Sequence, residues 1–200
     1  MKKVILSLAI LAGVTGAAQA QSTRFGVKAG VGLASVTGDI PNGFTKKNLI
    51  TPQVGVMADF GFSDLISFHP ELLYSQKGGR FENGSLYTQA RLSYLDVPLL
   101  LRVKADGLFF EAGPQVGFLI SEKNENNFLG TTSTNTSTTN TRKTDIGYIA
   151  GVGYQIASGL EFGVRYNGGI SNIDDTSTSS SSKIRNSVFQ FQVGYLFGGK

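Results

Sequence analysis

The chain has 200 residues, with 18 Lys and Arg against 14 Asp and Glu, one His and no Cys. That length allows one domain or two small ones, and the missing cysteines exclude thiolate metal sites, Cys nucleophiles and disulfide staples. With the charge near neutral and no Arg/Lys cluster, the electrostatic footprint of a nucleic-acid binder is missing, and no nucleic-acid partner is expected.

The first element is a leader. Met1, Lys2 and Lys3 form a positive region, VILSLAILAGVTGA is a short apolar run, and Ala18-Gln19-Ala20 is an A-x-A cleavage site. A spanning helix needs about 20 apolar residues. The reading is therefore a secretory signal peptide over 1–20 followed by one barrel domain over 21–200. Lys2 and Lys3 leave with the peptide, so 16 Lys and Arg face 14 acids in the mature chain. No later window reaches 18 uninterrupted apolar residues, so no helical span is expected.

Twenty-six glycines and strong period-two alternation predict β structure. Eight strands are expected, at 24–35, 50–62, 66–77, 90–103, 108–121, 144–156, 160–172 and 186–197. Each is at or above the roughly 9 to 11 residues with which a tilted strand crosses a bilayer. The connections alternate in length. SDL, KADG and ASG follow the second, fourth and sixth strands and read as tight turns. Long polar segments follow the first, third, fifth and seventh: VTGDIPNGFTKKNL, GGRFENGSLYTQ, the tract EKNENNFLGTTSTNTSTTNTRK, and IDDTSTSSSSKIR. An even strand count with short turns on one side and long loops on the other is the layout of a bacterial outer-membrane barrel. The predicted fold is all-β, an eight-stranded antiparallel up-and-down transmembrane β-barrel with both mature termini on the periplasmic side.

Along each strand one parity is apolar, as in Leu95, Val97, Leu99 and Leu101, while the other carries charge and glycine. Parity does not say which face is the lumen, and a lipocalin-like carrier has the reverse sense. Three features favour lipid on the apolar face. Aromatics such as Phe60, Phe62, Tyr74, Tyr195 and Phe197 sit toward strand ends, where a membrane interface wants them. The polar parity mixes both charge signs with glycine, a set that can cross-pair in a narrow lumen. The chain also closes on VFQFQVGYLF, whose Phe189, Phe191, Val193, Tyr195 and Phe197 share one face and match the pattern of a C-terminal signal for the barrel assembly machinery.

Several stretches together resemble the PorT-like outer-membrane β-barrel family of Bacteroidetes: SYLDVPLLLRV at 93–103 running into FFEAGPQVGFLIS, RFGVKAGVGLASV at the start, HPELLYSQKG in the third strand and RYNGGISNI in the seventh. The resemblance covers nearly all of the mature chain except its loops, and its motifs are structural. It implies an outer-membrane location and, from the family's namesake, a link to protein secretion and gliding. Outer-membrane lipid, lipopolysaccharide, the assembly machinery and periplasmic or secretion partners are the expected contacts.

The candidate site is a lumen charge network of Lys28, Asp59, His69, Glu71, Asp96, Arg102, Glu111, Asp145, Glu161 and Arg165. An eight-stranded barrel is just wide enough for its own side chains, and buried charges must pair. The network is read as a salt-bridged plug, with a narrow channel or small-ligand transporter as the alternative. A lipid-modifying enzyme built on His69 with Ser67 or Ser75 is the second alternative. It lacks a lipid-facing nucleophile and an oxyanion hole, so no catalytic residue, metal or cofactor is assigned. Gly30/Gly32 and Gly151/Gly153 lie within strands with no helix following, so they are read as packing glycines rather than phosphate loops. Pro98 and Pro114 predict local bulges. The Ser/Thr/Asn tracts at 131–141 and 177–182 are expected to act as mobile spacers.

Overall fold

The computed structural model describes residues 22–38, 43–84, 86–128, 131–136, 138, 141–173 and 184–198. The expected signal peptide and the serine-rich run at 177–182 lie outside them. Ten strands are described: β1 (Ser22–Thr37), β2 (Thr45–Lys47), β3 (Leu49–Gly61), β4 (Ile66–Asn83), β5 (Leu86–Ala105), β6 (Leu108–Phe128), β7 (Thr131–Asn135), β8 (Thr144–Gln155), β9 (Leu160–Gly169) and β10 (Arg185–Phe197). Eight form the wall, each antiparallel to the next, in the order β1-β3-β4-β5-β6-β8-β9-β10. The ring closes where β10 pairs with β1, from Phe25 opposite Phe197 to Thr37 opposite Arg185. Closure removes the free edges along the ring, leaving them only on the extensions of β4 and β6 above it.

The short turns carry the chemistry their geometry requires. Ala105 and Leu108 are paired across Asp106 and Gly107, which have φ of 49° and 84°. Two left-handed central residues are the signature of a type I′ hairpin, and Asp-Gly is a preferred pair for it. After β3, the Ser63 hydroxyl accepts from the Ile66 amide at 3.1 Å. The same rim holds the start of β1 and the end of β10, since Ser22 lies opposite Gly61 and Phe25 opposite Phe197.

The opposite rim differs from expectation. GGRFENGSLYTQ is not a loop: β4 and β5 stay paired to Asn83 and Leu86, so only Gly84 and Ser85 separate them. β6 rises with them to residue 128, and the strands reach 18, 20 and 21 residues. The alternation at Arg80, Glu82, Tyr87 and Gln89 lacked apolar partners in the sequence, yet cross-strand pairing continues because Arg80 stacks on the Tyr87 ring at 3.9 Å. Thr131–Asn135, expected to be part of a spacer, is the exposed strand β7 on β6, from Phe128 opposite Thr131 to Asn124 opposite Asn135. Backbone hydrogen bonds to an existing edge order it without any apolar burial. The predicted loop after β1 likewise contains β2, which pairs with β4.

The predicted bulges at Pro98 and Pro114 are absent. Paired partners skip from Pro98 opposite Gln115 to Leu101 opposite Ala112, but the register is the same on both sides. A proline removes one donor, while the flanking pairs keep the strands aligned. The register shift falls instead at Ser93 and Tyr94, which face Ser121 and Leu119 and leave Ile120 as the additional residue on β6.

The sense of the barrel is charge inside and apolar outside. Phe25 is 61% and Phe162 49% exposed, whereas Arg102 is 0% exposed. The outward apolar run on β5, from Leu95 to Val103, is about 30 Å long at about 3.3 Å per residue. Tilted by about 40°, it covers roughly the 25 Å of an outer-membrane apolar band.

The charged lumen as candidate functional site

All ten sequence-predicted network residues are buried inside the barrel. They fall into two clusters. The lower one lies toward the short-turn rim. Asp59 accepts from Arg24 at 3.0 Å and pairs with Lys104. Arg102 bonds Glu111 and Glu161, each at 2.8 Å, while its guanidinium stacks on Phe109 at 4.0 Å. Glu71 takes Lys28 at 2.5 Å on one oxygen and Arg165 at 2.9 Å on the other. Arg165 also donates to Gln190 at 2.9 Å, and Gln192 donates to Glu111 at 3.2 Å. Five cations thus face four carboxylates, with most carboxylate oxygens satisfied by charge-assisted bonds.

His69 sits within this cluster. Its Nε2 lies 3.1 Å from Arg102 Nη2, and an arginine only donates, so Nε2 is the acceptor. The ring proton is then on Nδ1, facing Asp59 Oδ1 at 3.4 Å. His69 is therefore engaged by Asp59 and Arg102 rather than by a serine, and Ser75 donates instead to Asp96 at 2.5 Å. His69, Glu71 and Glu111 come close enough to share an ion. Lys28, Arg102 and Arg165 already occupy the carboxylate oxygens there, so the donor set suits internal ion pairs better than a metal.

A belt of amides separates the clusters, in which Asn167 donates to Gln115 at 2.8 Å. Above it lies the upper cluster. Lys77 bridges Asp96 at 3.0 Å and Asp145 at 3.1 Å and stands over the Tyr94 ring at 4.7 Å. Asn186 and Ser171 donate to Asp145 at 3.0 and 2.9 Å. One cation here holds two carboxylates.

The sequence reading missed Arg24, Lys77 and Lys104 as members of the network. Each continues the inward parity of a predicted strand: Arg24 that of Lys28, Lys77 that of Glu71, and Lys104 that of Arg102. Arg24 and Lys77 fall inside the strands expected at 24–35 and 66–77, and Lys104 lies one residue past the strand expected at 90–103, so following the alternation to the strand ends finds all three. Glycines make the remaining room. A Cβ on Gly151 would lie 2.7 Å from Arg165 Cβ, and one on Gly117 would collide with the Asp96 carboxylate. These are the close approaches that a side-chain-filled barrel needs.

Among the described residues, outward-facing charge on the wall strands lies above the apolar band, on the extended strands, while Asp64 and Asp106 are exposed at the short turns. Arg91 lies directly opposite Lys123. Lys123 also bonds Glu125 at 2.7 Å, and this hydrogen bond holds the Glu125 carboxyl below its usual range. On β10, Phe189, Phe191, Val193, Tyr195 and Phe197 are all exposed on the outer wall.

A closed antiparallel barrel with ion pairs inside and a continuous apolar belt outside is stable only with lipid around it, and that defines the class: a transmembrane β-barrel. The chain belongs to the family described as outer membrane protein beta-barrel domain, whose model matches residues 18–175, and it is located in the outer membrane. No curated protein sequence matches the chain. Among solved structures it is similar to Neisserial surface protein A, at 15% identity over 88% of this chain and 99% of that one with a TM-score of 0.50. It is also similar to the attachment invasion locus protein Ail of Yersinia pestis (13%, 88% and 100%, TM-score 0.48) and to OprG of Pseudomonas aeruginosa (14%, 88% and 95%, TM-score 0.46). At these identities the likeness concerns the fold alone.

Proposed function

We propose that this is a closed-lumen outer-membrane protein with a structural or interaction role exercised at its two rims, without transport through the barrel or catalysis inside it. The observation that carries this reading is the paired filling of the lumen, where Arg102, Arg165, Lys28 and Lys77 are all at most 2% exposed and each is held by carboxylates. A conducting pore needs a continuous water path, and below the external mouth these buried, mutually paired side chains stand where it would run.

The partners follow from the surfaces. Arg91 lies opposite Lys123 just beyond the apolar belt, with Glu125 bonded to Lys123 beside them, and this surface charge is where contact with lipopolysaccharide headgroups is proposed. The exposed aromatic face of β10 is a ready signal for the assembly machinery. A PorT-like, secretion-associated role is the finer form of the proposal and would place its partner at the periplasmic rim. Planar-bilayer recording of the purified protein tests the reading. No steady current is expected, and a reproducible ohmic conductance would replace it with the channel reading.

A further inference from the structure

Above the upper cluster the barrel is not filled. The inward faces of β1, β4, β5 and β6 end in Val36, Phe81, Ala90, Leu92 and Glu122, and these line a cavity of about 210 Å³. Thr141, Ile173 and Ile184 cover its remaining side. Backbone hydrogen bonds from Arg142 to Ile173 and from Ile173 to Ile184, both 2.9 Å, hold that cover together.

Glu122 is the charged group in this wall, and it is 8% exposed. One carboxylate oxygen accepts from Asn124 Nδ2 at 2.6 Å; the other, Oε2, is buried without a hydrogen-bond partner. Among the described residues no cation forms an ion pair with it. Lys77, two residues below Gly79, is already shared between Asp96 and Asp145. Among the described residues, the ion pairs at the external end of the lumen set Asp96 and Asp145 on Lys77 and give Glu122 none. A buried carboxylate in that state lacks the counter-charge that would offset its burial.

The lining decides which counter-charge fits. A hard divalent cation asks for six or more oxygen ligands, and the wall offers one carboxylate. Ordered water needs two to four polar partners, and most of the wall is Val, Phe, Ala, Leu and Ile. An apolar enclosure with one convergent carboxylate suits an organic cation whose body leaves water while its ammonium makes a charge-assisted bond. At roughly 30 Å³ per water the cavity has room for about seven waters, or for one arylalkyl amine.

We propose that the external mouth of the barrel binds a small organic monocation, an aryl- or alkylamine, with its ammonium on Glu122 and its apolar body against Phe81, Leu92 and Val36. This goes beyond the role proposed above, and its test does not depend on that role. Isothermal titration of the folded mature chain in detergent micelles would compare 2-phenylethylammonium with its neutral counterpart 2-phenylethanol, with empty micelles as the blank. The amine should bind saturably at one site, at least about tenfold more tightly than the alcohol. Glu122→Gln should remove that preference, and Leu92→Trp, which fills the cavity, should abolish amine binding while the unboiled gel mobility stays that of a folded barrel. Equal binding of amine and alcohol to the unaltered protein, or no saturable heat with the amine, would overturn the proposal without recourse to any variant. Retention of the preference in Glu122→Gln would overturn it as well.

Discussion

The lower and upper halves of the lumen use the same residue types to different ends. Below the amide belt each of the four carboxylates meets at least two cations, and Arg102 alone touches Glu111, Glu161, His69 and Phe109. Above it, one lysine serves two aspartates, hydroxyl and amide groups supply the remaining bonds, and Glu122 has an oxygen with no partner at all. The lower half is closed by mutual ion pairing, and the upper half retains unspent acidity beside an empty apolar space. Buried charge has no single meaning in a barrel, and the number of its partners decides whether it locks the wall or awaits a ligand.

The sharpest way to break that contrast is Arg102→Leu. Removing one partner of a buried network strands Glu111 and Glu161, and about 3 to 5 kcal/mol of stability should be lost, read as a lower urea midpoint for unfolding in detergent. Lys77→Met should cost less, about 1 to 3 kcal/mol in the same titration, because Ser75, Asn186 and Ser171 still bond the two aspartates. Gly151→Val probes packing instead of charge. Its side chain would press on Arg165 and Glu111, and overpacking should lower the heat-modification temperature by the equivalent of about 1 to 3 kcal/mol. Smallest of all is Glu122→Gln. No ion pair is lost there and an unpaired buried charge is removed, so its unfolding midpoint should not fall below that of the unaltered protein. If Glu122→Gln destabilised the barrel as strongly as Arg102→Leu, the contrast between the halves would be wrong.

Much of this was legible in the sequence, because period-two alternation is a property of single strands. Leu95 to Leu101 against Asp96 and Arg102 reads as two faces without any knowledge of neighbours. The short turns were equally plain, since Asp106-Gly107 can take the left-handed angles that the hairpin needs. What could not be read depends on partners. The upward growth of β4 to β6 comes from cross-strand pairs such as Arg80 with Tyr87, and β7 is ordered by an edge that exists only once β6 has formed. Pro98 misled for the same reason, as its neighbours' pairing preserves a register that the residue by itself would disturb. In the site, the parity of Glu71 and Arg165 is visible, but that they meet across 94 residues of chain is not.

The central claim is that adjacent residues on one strand are sealed from water for opposite reasons, one by lipid and one by a filled lumen. Because the chain has no cysteine of its own, Phe191→Cys and Gln192→Cys can each be challenged with a water-soluble maleimide after reconstitution into liposomes, with Ser63→Cys on the short turn as the reactive control. Labelling at Ser63→Cys with protection at both β10 positions until the barrel is unfolded is the result this account predicts. Rapid labelling of Gln192→Cys in the folded protein would mean a water-filled lumen, and labelling of Phe191→Cys would put the apolar face in water; either would contradict it.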